Sequence, residues 1–293
     1  MVKLFIGLSV LFTYCLMVMG NVVTTTGSGL ACPDWPLCYG TVTPPFKFQI
    51  WFEWSHRLLG ASTGLFILGS TLLVWARKVE DVRWYVTGAL ALLGVGGAFG
   101  GVIVLIEAPL LEGPLHVLII SFHILLATVI FSLMMISFRL MHERGVMRAE
   151  PVFYPALFGL VFVQVIIGIF VRYSQASLAC PDFPMCRGAW LPDLVEFKVT
   201  IHFIHRLVAL AVFTLVTGYL VKAVRAGADA ASAAVTFALV VAQATLGAYV
   251  VWSGMFLPYV VLHGANGFAL LGWLAYRSAP YLAPGAPRRE EAA

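Results

Sequence analysis

The sequence predicts an all-α polytopic membrane protein, with eight transmembrane helices arranged as two pseudo-symmetric four-helix bundles. Three observations carry this. Hydrophobic residues make up 61% of the 293 residues and charged ones 11%. With a mean hydropathy of +0.93, that is more apolar surface than a soluble chain of this length can hide. Apolar runs of about 20 residues, the length that crosses a hydrocarbon core, recur along the whole chain. A loop motif with two cysteines occurs twice, 148 residues apart, and each copy is followed by an apolar stretch that opens with histidine.

The first run, near 3–21, follows Lys3 as a signal peptide's would. No small-residue cleavage site comes after it, and it corresponds to the fifth run by the duplication, so it is expected to remain as a helix. It carries Cys15, read as a small core residue. The first loop follows, with Thr26-Gly-Ser-Gly-Leu-Ala-Cys32-Pro-Asp-Trp-Pro-Leu-Cys38. The second span, near 53–75, opens with Glu53-Trp-Ser-His56-Arg57. The third, near 84–106, carries Gly94, Gly96, Gly97, Gly100 and Gly101, which permit close approach of helices or of a flat macrocycle. The fourth, near 115–138, holds His116 at its edge and His123 deeper. The fifth, near 153–172, ends on Arg172 and leads to the second loop, Ser174-Gln-Ala-Ser-Leu-Ala-Cys180-Pro-Asp-Phe-Pro-Met-Cys186. Its Ser-Gln-Ala-Ser replaces Thr-Gly-Ser-Gly, so its backbone is expected to turn differently. The sixth, near 199–222, opens with His202-Phe-Ile-His205-Arg206. The seventh and eighth lie near 231–252 and 258–277, the last carrying His263. The repeat divides the chain into halves at 1–148 and 149–293, with no room for a separate soluble domain.

Twelve basic residues (Lys3, Arg77, Lys78, Arg83, Arg139, Arg144, Arg148, Lys222, Arg225, Arg277, Arg288 and Arg289) fall on the side of both termini, and six on the other. The positive-inside rule therefore predicts cytoplasmic termini, extracytoplasmic cysteine loops and a multi-pass protein of the cell's inner membrane. A net charge of +4 without a long basic run excludes a nucleic-acid partner from the reading.

An oxidising outer compartment favours local bridges Cys32–Cys38 and Cys180–Cys186. Closing such short loops contributes roughly 2–3 kcal/mol in the chain-entropy picture. Whether the pairs only staple two lid loops or are redox-active stays open. Zinc binding by four thiolates is disfavoured by the Cys-x5-Cys spacing.

Ionisable groups inside membrane spans are costly and point to function. His56, His123, His205 and His263 are expected roughly 6–13 Å below the outer mouth, at 1.5 Å per residue. The duplication pairs His56 with His123 and His205 with His263. Two histidines facing each other across a bundle core are the usual axial ligands of a b-type haem. A lone one more often serves as a helix–helix hydrogen-bond partner. His116 reads as exposed or loosely packed and His142 as a loop residue without chemistry. Glu53, three residues before His56, has His202 as its counterpart. In an apolar setting the acid could move protons or steady a cation; the plainer reading is an idle carboxylate at a helix N-terminus. Arg57, Arg172 and Arg206 are candidate haem-propionate contacts, with snorkelling to lipid headgroups the alternative.

Together, the first loop, Glu53-x-x-His56-Arg57, the second loop and His123, His205 and His263 resemble the haem A synthase family of cytochrome oxidase assembly, across all eight spans. The resemblance implies oxidation of the C8 methyl of haem O to a formyl through successive hydroxylations, with loss of water. It implies haem b as cofactor on His205 and His263, substrate haem at His56 and His123, and Glu53 as the acid essential to turnover. Partners implied are haem O, membrane lipid, a haem O synthase, an electron donor and further copies of the chain. The Cys32–Cys38 pair is implied as a route for reducing equivalents or as a receiver of substrate. The chain departs from the family's pattern at Thr24, where its own second repeat has Arg172; Arg57 is then expected to meet propionates in the first half. A di-haem b-type electron-transfer protein, a membrane thiol oxidoreductase and a haem carrier are the competing readings.

Overall fold

The computed structural model describes residues 1–105, 114–143 and 152–282. The expectations for Arg144, Arg148, Arg288, Arg289 and the His116 side chain lie outside the described residues. Eight helices cross the molecule: α1 (Val2–Thr25), α2 (Phe48–Ala76), α3 (Arg83–Leu105), α4 (Pro114–His142), α5 (Phe153–Tyr173), α6 (Phe197–Ala226), α7 (Ala230–Trp252) and α8 (Leu257–Leu282). All eight contain stretches long and apolar enough to span a membrane. Most run a few residues past the expected limits, because polar ends can continue a helix once tertiary packing holds it.

The helix ends show how a chain in an apolar setting satisfies its own backbone. Thr24, Thr25 and Thr26, at and just beyond the end of α1, donate their hydroxyls to the carbonyls four residues earlier, at 3.0, 2.7 and 2.8 Å. The end of α6 is closed by Gly227 at φ 63°, a left-handed cap that glycine adopts without a Cβ clash.

Helices α1 to α4 close a ring, each packing on the next and α4 returning to α1; α5 to α8 close a second. The rings join where α4 and α1 pack on α8 and where α4 meets α5. At that seam the absent side chain of Gly272 admits the Phe131 ring, whose edge comes within 2.7 Å of where a Cβ would stand. Both cysteine loops lie at one end, since Thr24 of α1 bonds the Tyr173 hydroxyl of α5 at 3.2 Å.

The dry cores fill the other end. Ile6, Ile67, Val86 and Met134 pack in the first ring, and Leu157, Val216, Leu271 and Leu274 in the second. Small apolar clusters around Cys32, Cys38 and Ile50, and around Cys180, Cys186 and Val199, roof the loop end. The histidine level lies between roof and core.

Far from the loops, Asp229 binds Arg277 at 2.5 Å and accepts hydrogen bonds from Tyr154 and Tyr219 at 2.9 Å each. Both charged side chains are under a tenth exposed. Removing one partner of such a buried pair leaves the other charge uncompensated. Arg277→Leu is therefore expected to cost about 3–5 kcal/mol, read as a lower thermal midpoint of the purified protein, while Arg225→Leu in the exposed last turn of α6 shifts it little.

Candidate functional site

Each cysteine loop is closed by a disulfide, Cys32–Cys38 and Cys180–Cys186. Inside each ring an aspartate organises the turn. Asp34 accepts the amides of Tyr39 (2.6 Å) and Gly40 (2.8 Å), and Asp182 those of Arg187 (2.6 Å) and Gly188 (2.7 Å). The approaches also turn alike, against the expectation from their sequences: Gly27 and Gln175 both take left-handed backbone, at φ 64° and 56°, and the same backbone hydrogen bonds follow in each. The Gly40 amide, followed by that of Tyr39, holds the Asp34 carboxyl below its ordinary value of 3.8, and the Gly188 and Arg187 amides do the same for Asp182.

An arginine from the following helix clasps each loop from below. The Arg57 guanidinium donates to the carbonyls of Asp34 and Leu37, to that of Cys32 at 3.3 Å, and pairs with Glu53. Arg206 donates to the carbonyls of Asp182 (2.8 Å), Met185 (2.6 Å) and Cys180 (2.8 Å). Hydrogen bonds from a charged donor are worth about 1.5–3 kcal/mol each, so the clasp outweighs what loop closure by the disulfide supplies. Both guanidinium groups, expected at propionates, are thus engaged with loop backbone. Arg172 stands at the last turn of α5, and among the described residues its Nε has no hydrogen-bond partner.

Glu53 is 3% exposed; its Oε2 accepts the Cys32 amide at 2.7 Å and its Oε1 pairs with Arg57. The acid therefore joins the base of the disulfide loop to the helix that carries His56. His202 takes the same place more loosely, with the Cys180 amide 3.4 Å from Nδ1 and Arg206 Nε 3.3 Å from Nε2. A neutral imidazole accepts at one nitrogen only, so just one of these contacts is a full hydrogen bond.

His56 and His205 are each the ninth residue of their helices, counted from Phe48 and Phe197, and lie more than two turns in. His56 and His123 are close enough to interact electrostatically, as are His205 and His263, so the fold brings each expected pair together. All four rings lie against a glycine of the preceding helix. A Cβ at Gly20, Gly168 or Gly247 would stand 3.1 Å from Cε1 of His56, His205 or His263, and one at Gly100 would stand 3.7 Å from that of His123. Gly100 is among the glycines that the sequence marked for close approach; the same role of Gly20, Gly168 and Gly247 was missed from sequence. Nδ1 of His123 bonds the Gly96 carbonyl at 3.1 Å and that of His263 the Gln243 carbonyl at 3.2 Å. Nδ1 of His56 and of His205 is buried without a hydrogen-bond partner among the described residues.

The donor set fits haem. Four deep histidines keep some accessible surface at a level between roof and core. Two histidine nitrogens to a pair is the donor set of an axially ligated haem iron. His142 lies exposed at the end of α4, away from these pairs, and Cys15 is half-buried in α1.

Asp34→Asn removes one of the two acceptor oxygens that close the turn. It is expected to speed reduction of Cys32–Cys38 by a water-soluble phosphine. Because the carboxyl titrates below 3.8 in the folded loop, the wild-type reduction rate is expected to stay flat down to that range. Turn order is then lost as pH falls through the lowered value.

Comparison with known proteins gives the relationship. The COX15-CtaA family model, described as cytochrome oxidase assembly protein, matches residues 3–49 and 45–275. Haem A synthase of Bacillus licheniformis is 28% identical, covering 92% of this chain and 93% of its own length. Haem A synthase of Bacillus pumilus is 27% identical over 92% of each chain, and that of Rhizobium etli strain CIAT 652 is 25% identical over 94% of this chain and 89% of its own. The match runs from α1 into α8, through both loops and all four paired histidines: the chain belongs to the family of cytochrome oxidase assembly proteins.

Proposed function

We propose that this protein is a membrane haem A synthase, an oxidoreductase that converts haem O to haem A by oxidising one ring methyl to a formyl. Family membership supports the reaction, and one observation ties it to this chain. Glu53 is buried between the Cys32 amide and Arg57, one helical turn from His56, while the second half has His202 in its place. An acid in one half and an imidazole in the other divides the labour: 1–148 for chemistry, 149–293 for holding a cofactor.

In this reading His205 and His263 hold haem b, and His56 and His123 receive the substrate haem. Iron supplies the redox chemistry that side chains lack for an unactivated methyl. Glu53 supplies a carboxylate that accepts a proton or steadies developing positive charge, and Arg57 fixes its orientation. Arg172, with its unpartnered Nε, is the propionate contact of the second half, and Arg57 and Arg206 reach propionates only from the loop clasp. An apolar substrate that stays in the bilayer suits a site set inside helices. The termini face the cytoplasm and the disulfide loops the opposite side, where the Cys32–Cys38 and Cys180–Cys186 bonds persist; an electron donor, a haem O synthase and further copies are the partners.

Pigment extracted from membranes that co-express this chain with a haem O-producing enzyme is expected to contain haem A or its alcohol intermediate by mass spectrometry. Glu53→Gln is expected to lower that yield about 100-fold or more while the purified protein keeps its haem b spectrum. Unchanged haem O beside tightly held haem b in the wild type, with a competent electron supply, would move the di-haem electron-transfer reading ahead. His205→Ala and His263→Ala are expected to lose the haem b absorption, whereas His56→Ala and His123→Ala keep it and lose turnover.

A further inference from the structure

His56 and His263 belong to different halves, yet one residue of α1 links their surroundings. The His56 ring lies against Gly20, and the next residue, Asn21, turns to α8. Its Nδ2 donates to the Val260 carbonyl at 3.1 Å, and its Cγ lies 3.2 Å from where a Cβ of Gly264 would stand. Gly264 directly follows His263. About two turns back along α1, the Tyr14 hydroxyl donates to the Ala265 carbonyl at 3.2 Å. Backbone carbonyls before and after His263 are thus both answered from the first half.

The orientation of the Asn21 amide follows from chemistry. A carbonyl only accepts, so the atom at Val260 is nitrogen, and the oxygen accepts from the Thr25 hydroxyl at 3.3 Å. A helix carbonyl that takes its own chain's amide keeps a second lone pair for such a donor. Gly264 makes the room, since any side chain there would collide with the Asn21 amide. In hydrocarbon an amide or a phenol has no water to turn to, so a donor on one helix draws in a carbonyl on the next.

The matching seam between α5 and α4 lacks these donors. The repeat puts Phe162 and Ile169 where α1 has Tyr14 and Asn21, and Ile124 and Leu125 where α8 has Gly264 and Ala265. Phenyl and alkyl groups donate nothing, so the turn of α4 that carries His123 has no equivalent hold.

We propose that Asn21, assisted by Tyr14, is a positioning residue for haem b: from within the first half it fixes the turn of α8 that carries His263, through the same segment that backs His56. This rests on haem b being held by His205 and His263. Groups beyond an axial ligand orient it and tune its metal, so ligation at His263 depends on α1 as well as on the helices of its own half.

The test uses the full chain purified with haem b and without haem O, read by the low-spin electron paramagnetic resonance signal and the reduction potential of haem b. Asn21→Leu keeps the branched shape, removes the donor and is expected to shift both readouts. Tyr14→Phe is expected to shift them in the same direction by less. Gly264→Ala displaces the Asn21 amide and is expected to shift both. Combined with Asn21→Ala, where the collision is gone, it is expected to add little further shift. Thr24→Val breaks the hydrogen bond from α1 to Tyr173 of α5, leaves α8 alone, and is expected to leave both readouts in place. Readouts unchanged in Asn21→Leu and Tyr14→Phe, or shifted as far by Thr24→Val, overturn the proposal alone, provided His263→Ala is free of haem b. A Gly264→Ala shift of the same size with and without Asn21 does the same. Haem b retained by His263→Ala overturns the assignment of that site and the proposal with it.

Discussion

The loop end of the molecule depends on one guanidinium in each half. A disulfide loop carries many backbone carbonyls and few ways to satisfy them once it lies against a bundle. Arg57 and Arg206, rising from the third turns of α2 and α6, gather those carbonyls onto a single charged group. A planar donor fork suits this work in a way a lysine ammonium does not. With the loop held down, Cys32 presents its amide to Glu53, the roof closes over the histidine level, and the apolar cores at the far end can pack without carrying the site.

Duplication supplied two copies of this arrangement, and the copies differ beneath the loop. The first half buries an acid beneath its loop, tied by a full hydrogen bond and an ion pair. The second places an imidazole there, held by longer contacts, and surrounds its deeper histidines with amides. Glycines against all four rings are the common inheritance, because a helix must come close to stack on an imidazole and still leave space for a flat ligand.

Much of this was legible in the amino-acid order. The eight spans follow from hydropathy, since the bilayer fixes a helix's length and leaves its backbone no other partner. The repeat is legible because the loop motif and the histidine after it recur at one spacing. The pairing of His56 with His123 and of His205 with His263 follows from that repeat. Two things were harder to see. Arg57 and Arg206 look like lipid or propionate contacts in sequence, and a loop's need for donors becomes visible only when its carbonyls are placed. Gly20, Gly168 and Gly247 lie on the helix before the imidazole they meet, and nothing local marks them as contacts.

The sequence by itself determined the membrane class, the number and order of helices, the twofold repeat and the identity of the ionisable groups buried in it. These rest on length, hydrophobicity and spacing, which act along the chain. Tertiary structure decided which side chain answers which backbone group: the clasp on each loop, the capture of Glu53 under Cys32, and the carbonyls that meet His123 and His263. Those outcomes depend on distances of about 3 Å between segments far apart in the chain, and hydrogen bonding at that range is set by how the helices pack.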